Sequence, residues 1–142
     1  MIRLSSLHAT ARRTVHHGVA RRWYVPTVQP SVVILDSAVD AAVSMATALC
    51  ERGIPATYAA TAREATAAAA ITHPTAVLID LGVQAALDQL CEELRMVAPG
   101  ARLVALSDWS DPGHFDKAMA CGFDHFVIKP AALETVLQAV RG

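Results

Sequence analysis

The sequence alternates short apolar runs with longer amphipathic segments between residues 32 and 140. The apolar runs hold four to six residues each and are rich in Val, Ile and Leu, which is typical of strands buried on both faces of a parallel sheet. These strands are predicted at residues 32–35, 54–59, 75–80, 103–106 and 125–128. Pro55 indicates an edge position for the second strand, because proline cannot donate a ladder hydrogen bond.

A helix is predicted after each strand, from apolar residues at helical spacing and from signals at the helix ends. The predicted helices span residues 38–52, 61–71, 87–97, 111–121 and 133–140. Thr61 and Glu64 form a capping box, and Asp111 precedes a first-turn proline. The core face of the first helix is predicted to hold Val39, Val43, Ala46, Leu49 and Cys50. Five strands and five helices in alternation predict an α/β fold, a parallel sheet covered by helices on both faces.

Length and charge divide the chain into two parts. Its 142 residues, 54% of them apolar, are enough for one domain with a proper core. Residues 1–30 hold five arginines and no acid, whereas residues 31–142 hold seven basic and thirteen acidic residues, a balance of −6. We therefore predict a basic, poorly ordered arm at residues 1–30, whose composition also fits a targeting peptide, and a domain at residues 31–142. The acidic domain is not expected to bind nucleic acid directly.

Cysteine spacing and hydropathy indicate a cytoplasmic protein. Cys50, Cys91 and Cys121 have neither the spacing of a metal site nor that of a disulfide framework. We interpret them as reduced core thiols. No apolar run approaches the roughly 20 residues that a membrane-spanning helix needs, so no membrane partner is expected.

Polar residues follow four of the predicted strands: Asp36, Asp80, Ser107 and Lys129. The carboxyl ends of parallel strands meet at one edge of the sheet, where ligands bind. Two carboxylates there suit Mg²⁺, which takes one or two of them together with water and phosphate oxygens. We predict Asp80 as a nucleophile that accepts a phosphoryl group, with Lys129 and Ser107 binding the phosphoryl oxygens. Each residue alone would more often be a turn or cap residue, and only their joint placement indicates a site.

Residues 32–137 resemble the receiver domain of two-component response regulators. The resemblance is carried by the run of residues 122–130 and by Asp36, Asp80, Ser107, the aromatic Phe126 and the pair Lys129 and Pro130. It implies a flavodoxin-like (βα)5 fold, a doubly wound parallel five-stranded sheet with strand order 2-1-3-4-5. It also implies a cis peptide bond between Lys129 and Pro130.

The resemblance further implies a phosphorelay function. A histidine kinase or histidine phosphotransferase would donate the phosphoryl group to Asp80, and Mg²⁺ would be held by Asp36, Asp80 and the backbone carbonyl of Gly82. Ser107 would then move toward the phosphate and Phe126 would turn inward. This would change the face formed by helix 4, strand 5 and helix 5, which would bind a downstream protein or a second copy. No enzyme activity beyond autophosphatase activity and no other cofactor is implied. Because the chain ends five residues after Leu137, a stand-alone receiver is expected.

Two positions depart from the family pattern and leave an alternative open. Ser37 follows Asp36 where most members carry a second acid, so weaker Mg²⁺ binding is expected. Asp108 follows Ser107 where a small residue is usual, and its charge would repel an incoming phosphoryl group. The alternative is a pseudo-receiver that takes no phosphate and acts as a docking or dimerisation module. A haloacid-dehalogenase-like phosphatase is disfavoured, because Gly82 stands where such a site needs an acid.

Overall fold

The computed structural model describes residues 29–83, 85–108 and 112–142. The predicted arm lies outside these ranges except for its last two residues, and so does the predicted helix cap Asp111. Within the described ranges the elements are β1 (Val32–Leu35), α1 (Val39–Glu51), β2 (Ala56–Ala59), α2 (Ala62–Thr72), β3 (Ala76–Asp80), α3 (Leu87–Val97), β4 (Arg102–Ser107), α4 (Pro112–Ala120), β5 (His125–Ile128) and α5 (Leu133–Arg141). None of the helices described is long and apolar enough to cross a membrane.

The five strands form one parallel sheet in the order β2-β1-β3-β4-β5, which confirms the predicted fold class and strand order. Successive side chains of a strand point to opposite faces of the sheet. Even-numbered core residues of β1, β3 and β4 pack against α1 and α5, and odd-numbered ones pack against α2, α3 and α4. The numbering is reversed in β5, where Val127 faces α1 and α5 while Phe126 faces the other side.

The buried face of α1 differs from the prediction. Its buried residues are Ala42, Ala46 and Leu49. Val39 and Val43, which the apolar spacing places in the core, are 46% and 38% exposed. Small alanine side chains let the helix approach the sheet closely. The face of α1 that packs on the sheet is therefore the one that contains Ala42 and Ala46. Val43 is left beside the edge strand β2, where it lines a shallow pocket with Ala56 and Tyr58.

The three cysteines lie in different environments. Cys91 is buried, Cys121 is half-buried, Cys50 is exposed, and all three are free thiols. Burial, and secondarily the nearby Cys121, raises the pKa of Cys91 to about 11, which keeps this thiol protonated at neutral pH. The prediction of core thiols is confirmed for Cys91 and wrong for Cys50, since Cys50 lies outside the buried stripe of α1.

Helix α2 is capped at both ends. The hydroxyl of Thr61 accepts a hydrogen bond from the Glu64 amide at 3.2 Å, and the Glu64 carboxylate accepts one from the Ala60 amide at 2.9 Å. The predicted capping box is therefore present, with its return bond one residue before the cap. At the other end the chain leaves the helix through His73, whose φ of 49° and ψ of 61° lie in the left-handed region.

We expect His73→Gly to stabilise the protein by about 0.5 kcal/mol, because glycine has no Cβ to clash in the left-handed conformation. The measurement is the urea midpoint of unfolding. Gly53→Ala is the matched control, since Gly53 has a φ of +80° and open space where a Cβ would stand. It should shift the midpoint in the opposite direction. A lower midpoint for His73→Gly would contradict the expectation.

An ion pair between Arg95 and Asp124 lies at the amino ends of β4 and β5. The sequence pattern did not predict this pair. Arg95 of α3 donates to Asp124 Oδ2 at 2.9 Å and to the carbonyls of Gly122 and Ala101 at 2.8 and 3.1 Å. The same carboxylate oxygen accepts the Leu103 amide at 2.8 Å. Partial burial works against ionisation, but the Leu103 amide and the Arg95 guanidinium together hold the pKa of Asp124 below its usual value of 3.8.

The stability contributed by Asp124 is expected to depend on pH. A lowered folded-state pKa gives stability that is present above the unfolded-state value of 3.8 and is lost as the pH falls through the folded-state pKa. Asp124→Asn should cost about 0.5 kcal/mol at neutral pH, a small value because both side chains are more than a third exposed. Urea unfolding at neutral pH and near pH 3 measures this. A cost of the same size at both pH values would contradict the assignment.

Candidate functional site

Three charged side chains meet at the carboxyl edge of the sheet. Asp36 follows β1, Asp80 ends β3 and Lys129 follows β5, and side-chain alternation places all three on the face covered by α1 and α5. Lys129 Nζ donates to Asp36 Oδ2 at 3.1 Å and to Asp80 Oδ1 at 2.9 Å. The structure thus brings together the two carboxylates and the lysine that the sequence predicted for this edge. The peptide bond that leads from Lys129 into Pro130 is cis, as the resemblance implied.

Backbone amides bind the second oxygen of each carboxylate. Asp36 Oδ1 accepts the Ala38 amide at 2.9 Å, and Asp80 Oδ2 accepts the Gly82 amide at 3.0 Å. The Asp80 side chain is 15% exposed and that of Asp36 is 6% exposed. Asp80 is therefore the carboxylate that a group arriving from solvent reaches more easily.

Lys129 is positively charged at neutral pH within this site. Partial burial disfavours the charged amine, but the hydrogen bonds from its ammonium to Asp80 and Asp36 outweigh that effect and raise the pKa of Lys129 above its usual value of 10.5. The lysine neutralises one of the two carboxylates, so the three side chains together carry a net charge of −1.

Ser107 and Phe126, the predicted hydroxyl and aromatic residues, lie near the same edge of the sheet but on its other face. Ser107 is 2% exposed at the end of β4, and its carbonyl accepts the Lys129 amide at 2.6 Å. Phe126 on the neighbouring strand packs into the cluster formed with α2, α3 and α4. Its ring meets that of Phe115 in α4 edge to face, with 5.3 Å between the ring centroids. Side-chain alternation puts Ser107 and Phe126 on one face, towards α4.

Gly82 lies directly against the Asp80 carboxylate. A Cβ at this position would stand 2.9 Å from Asp80 Oδ2, closer than real Cβ atoms approach a neighbour. Glycine at this position therefore leaves room for the carboxylate, which accepts a hydrogen bond from the Gly82 amide. Asp36 makes the same kind of contact with the amide two residues further on. Both contacts are Asx turns, in which an aspartate side chain accepts a hydrogen bond from the backbone amide two residues further on. Aspartate commonly forms such turns, and this is the feature of the sequence from which the two hydrogen bonds could be predicted.

The oxygen atoms at this edge fit a hard divalent cation. The second of the two adjacent acids that the family resemblance implies is missing, because Ser37 stands in its place. Asp36, Asp80 and the Gly82 carbonyl supply oxygen ligands of the kind that Mg²⁺ prefers. Ser37 is exposed beside Asp36 and adds no charge. In the part of the chain that the structure describes, no cluster of three His, Cys, Asp or Glu side chains is placed to hold a metal. Water and phosphoryl oxygens would be suitable further ligands for such a cation.

An open groove runs beside the charged residues, between α1 and α5. It consists of two adjoining cavities of about 450 and 340 Å³. The two cavities share Met45, Leu106, Lys129 and Ala131. Asp108 lines the first cavity and Asp36 the second. The groove gives solvent access to the Lys129 side chain along the carboxyl edge of the sheet.

Several solved structures with similar folds are response regulators. A response regulator from Burkholderia pseudomallei, with a phosphorylated aspartic acid, a calcium ion and citrate, has a TM-score of 0.72 and 24% identity. The match covers 78% of this chain and 66% of that chain, just under two thirds of its length. A CheY-like receiver domain from Methanospirillum hungatei has a TM-score of 0.70 and 19% identity, over 80% of this chain and 92% of that chain.

A chemotaxis response regulator of Vibrio cholerae has a TM-score of 0.71 and 20% identity, over 80% of this chain and 98% of that chain. A scan against protein-family models gives no match, and neither does a search of curated proteins. At these identities the likeness establishes the fold. The chain has the fold of response regulator receiver domains, and its charged residues lie at the carboxyl edge of that fold.

Proposed function

We propose that this chain is a receiver that accepts a phosphoryl group on Asp80 from a phosphohistidine of a histidine kinase or histidine phosphotransferase. The observation that carries this proposal is the Lys129 ammonium bound between Asp36 and Asp80. A nucleophilic carboxylate, a second acid and a fixed cation at one sheet edge are the parts that phosphoryl transfer to aspartate needs.

Each contact of Asp80 has a role in the transfer. An oxygen of the carboxylate forms a bond to phosphorus while the phosphorus–nitrogen bond of the donor breaks, and the electron pair stays on the imidazole. The Gly82 amide and the Lys129 ammonium, at 3.0 and 2.9 Å from the two oxygens, fix the orientation of the carboxylate. Lys129 would also stabilise negative charge on the phosphoryl oxygens.

A divalent cation fits the same site. Asp36, Asp80 and the Gly82 carbonyl would hold it, and when bound it neutralises charge on the phosphoryl group. Mg²⁺ is the cation we propose. The calcium ion in the phosphorylated Burkholderia structure supports a divalent cation in this fold.

The face formed by α4, β5 and α5 is the proposed output surface. It exposes large apolar side chains: Phe115 is 45% exposed, Met119 36% and Ile128 47%. Phe126 contacts Phe115 and lies on the same side of the sheet as Ser107, so movement of Ser107 toward a phosphoryl group would alter the packing under this surface. The surface then binds a downstream protein or a second copy of the chain.

A second candidate function is a docking module that works without phosphorylation. Ser37 in place of an acid and the exposed apolar face of α4 and β5 favour it. Under this alternative, partner binding or dimerisation is the same in the wild type and in Asp80→Asn.

The two candidates differ in one experiment. Wild type and Asp80→Asn are incubated with phosphoramidate and Mg²⁺, and intact mass spectrometry counts the phosphoryl groups added. The receiver proposal expects one group on the wild type and none on Asp80→Asn, which keeps the shape of the side chain but loses the nucleophile. An unmodified wild type that still binds its partner would replace this proposal with the docking module.

A further inference from the structure

A third carboxylate lies at the carboxyl edge of the sheet, on the same face as Asp36 and Asp80. Asp108 follows β4, is exposed, and lines the cavity of about 450 Å³ together with Lys129. Other walls of this cavity come from Met45 of α1 and Val136 of α5. Three acids and one lysine therefore share this edge, with a net charge of −2.

Asp108 lies close enough to Asp80 for its charge to act there. Asp80 pairs in register with Leu106, two residues before Asp108. With about 4.8 Å between strands and about 3.3 Å per residue, the two aspartate Cα atoms are roughly 8 Å apart. This is comparable to the screening length of about 8 Å at physiological salt.

The charge of Asp108 is not compensated within the described ranges. The ammonium of Lys129 is bound to Asp36 and Asp80, and none of the salt bridges among residues 29–83, 85–108 and 112–142 includes Asp108. This cavity reaches the Lys129 side chain, whose ammonium is bound to Asp80. A phosphoryl group that enters it on the way to Asp80 therefore meets an uncompensated carboxylate in the cavity wall.

We propose that Asp108 selects the phosphodonor by charge. This inference rests on the proposed function of Asp80 as a phosphoacceptor. A small-molecule donor with two negative charges is repelled by Asp108, and only the contacts of its own phosphoryl group can offset that repulsion. A phosphohistidine on a partner protein arrives with the binding energy of the whole protein contact. Asp108 thus slows phosphorylation by small metabolite-like acyl phosphates and favours protein donors.

Two small donors of different charge test the selection. Acetyl phosphate is a dianion at neutral pH; the Asp80 oxygen bonds to phosphorus as the bond to acetate breaks, and acetate leaves with the electron pair. Phosphoramidate carries a single net negative charge; its phosphorus–nitrogen bond breaks and the already protonated nitrogen leaves as ammonia. Because Coulomb energy is proportional to charge, the dianion should respond more strongly to loss of the Asp108 charge.

The rate of Asp80 phosphorylation is measured with both donors at fixed Mg²⁺, by intact mass spectrometry. Asp108→Asn should raise the acetyl phosphate rate about five- to tenfold and the phosphoramidate rate about two- to threefold. Added salt should raise the acetyl phosphate rate of the wild type towards that of Asp108→Asn. Asp108→Glu, which keeps the charge, and Glu92→Gln, which removes an exposed charge from α3 on the opposite face, should behave as the wild type does.

The outcomes separate the two proposals. Equal acceleration with both donors, or no acceleration in Asp108→Asn, overturns selection by charge and leaves Asp80 as the phosphoacceptor. The same salt response in wild type and Asp108→Asn also overturns it. Absence of phosphorylation in every variant with both donors overturns the proposed function, and donor selection with it.

Discussion

Lys129→Met is expected to lower the rate of phosphoryl transfer to Asp80 by about 100-fold, the usual cost of removing one charged or polar donor from a transition state. The wild-type ammonium binds both Asp36 and Asp80, so its loss removes the positive charge of the site and frees the Asp80 carboxylate to rotate. Methionine is similar in length and flexibility, which limits the change to the charge and its hydrogen bonds.

The same substitution should lower the free energy of unfolding by about 1 to 2 kcal/mol. Two carboxylates lose their shared cation, but the value stays below that for a fully buried pair because the Lys129 side chain is 28% exposed. Rates are measured by mass spectrometry with phosphoramidate, and stability by urea unfolding. Lys117→Met, which removes an exposed lysine from α4, is the control and should change neither. A Lys129→Met rate within a fewfold of the wild type would show that the lysine has no part in transfer.

Ser37→Asp is expected to tighten Mg²⁺ binding by about tenfold, because a second adjacent acid adds charge and an oxygen ligand to a site that has two carboxylates. Without the metal, the added charge beside Asp36 repels it and should lower the stability slightly. Added Mg²⁺ should therefore stabilise Ser37→Asp more than it stabilises the wild type.

Titration calorimetry measures the affinity, and urea unfolding with and without Mg²⁺ measures the coupling to stability. Thr47→Asp is the matched control, since Thr47 is exposed on the side of α1 next to β2 and does not line the groove that holds Asp36 and Lys129. It should leave the affinity within about twofold of the wild type, as a remote surface charge is largely screened. Equal affinity in Ser37→Asp and the wild type would place the cation elsewhere than beside Asp36.

The strands were predictable because fully buried parallel strands need continuous apolar runs. The second strand shows the limit of this signal. The apolar pattern assigns Ile54 to it, and Ile54 is indeed 2% exposed, but its amide bonds back to the Leu49 carbonyl at the end of α1. Burial at Ile54 therefore belongs to the helix end, and the strand begins at Ala56. An apolar residue in the sequence predicts burial, but it does not predict to which helix or strand the buried residue belongs.

The same distinction applies to the site. Asp36, Asp80 and Lys129 were predictable as neighbours, because chain order and parallel strands bring their backbone positions to one edge. The distances between side chains were not, since they depend on how closely helices pack on the sheet. The contact of Arg95 in α3 with Asp124 arises only when segments distant in sequence come together, and no periodicity in the sequence encodes it.

The alternation of side chains across the sheet has an evolutionary consequence. Asp36, Asp80 and Lys129 lie on one face, whereas Ser107 and Phe126 lie on the other, one peptide layer away. Under the proposed function, substitutions of Asp36, Asp80 or Lys129 are expected to change phosphoryl transfer itself, whereas substitutions of Phe126 are expected to change how the α4 side of the molecule responds. Positions of these two kinds can then diverge separately, so a chain of this design can acquire a new recipient of its signal while keeping its donor.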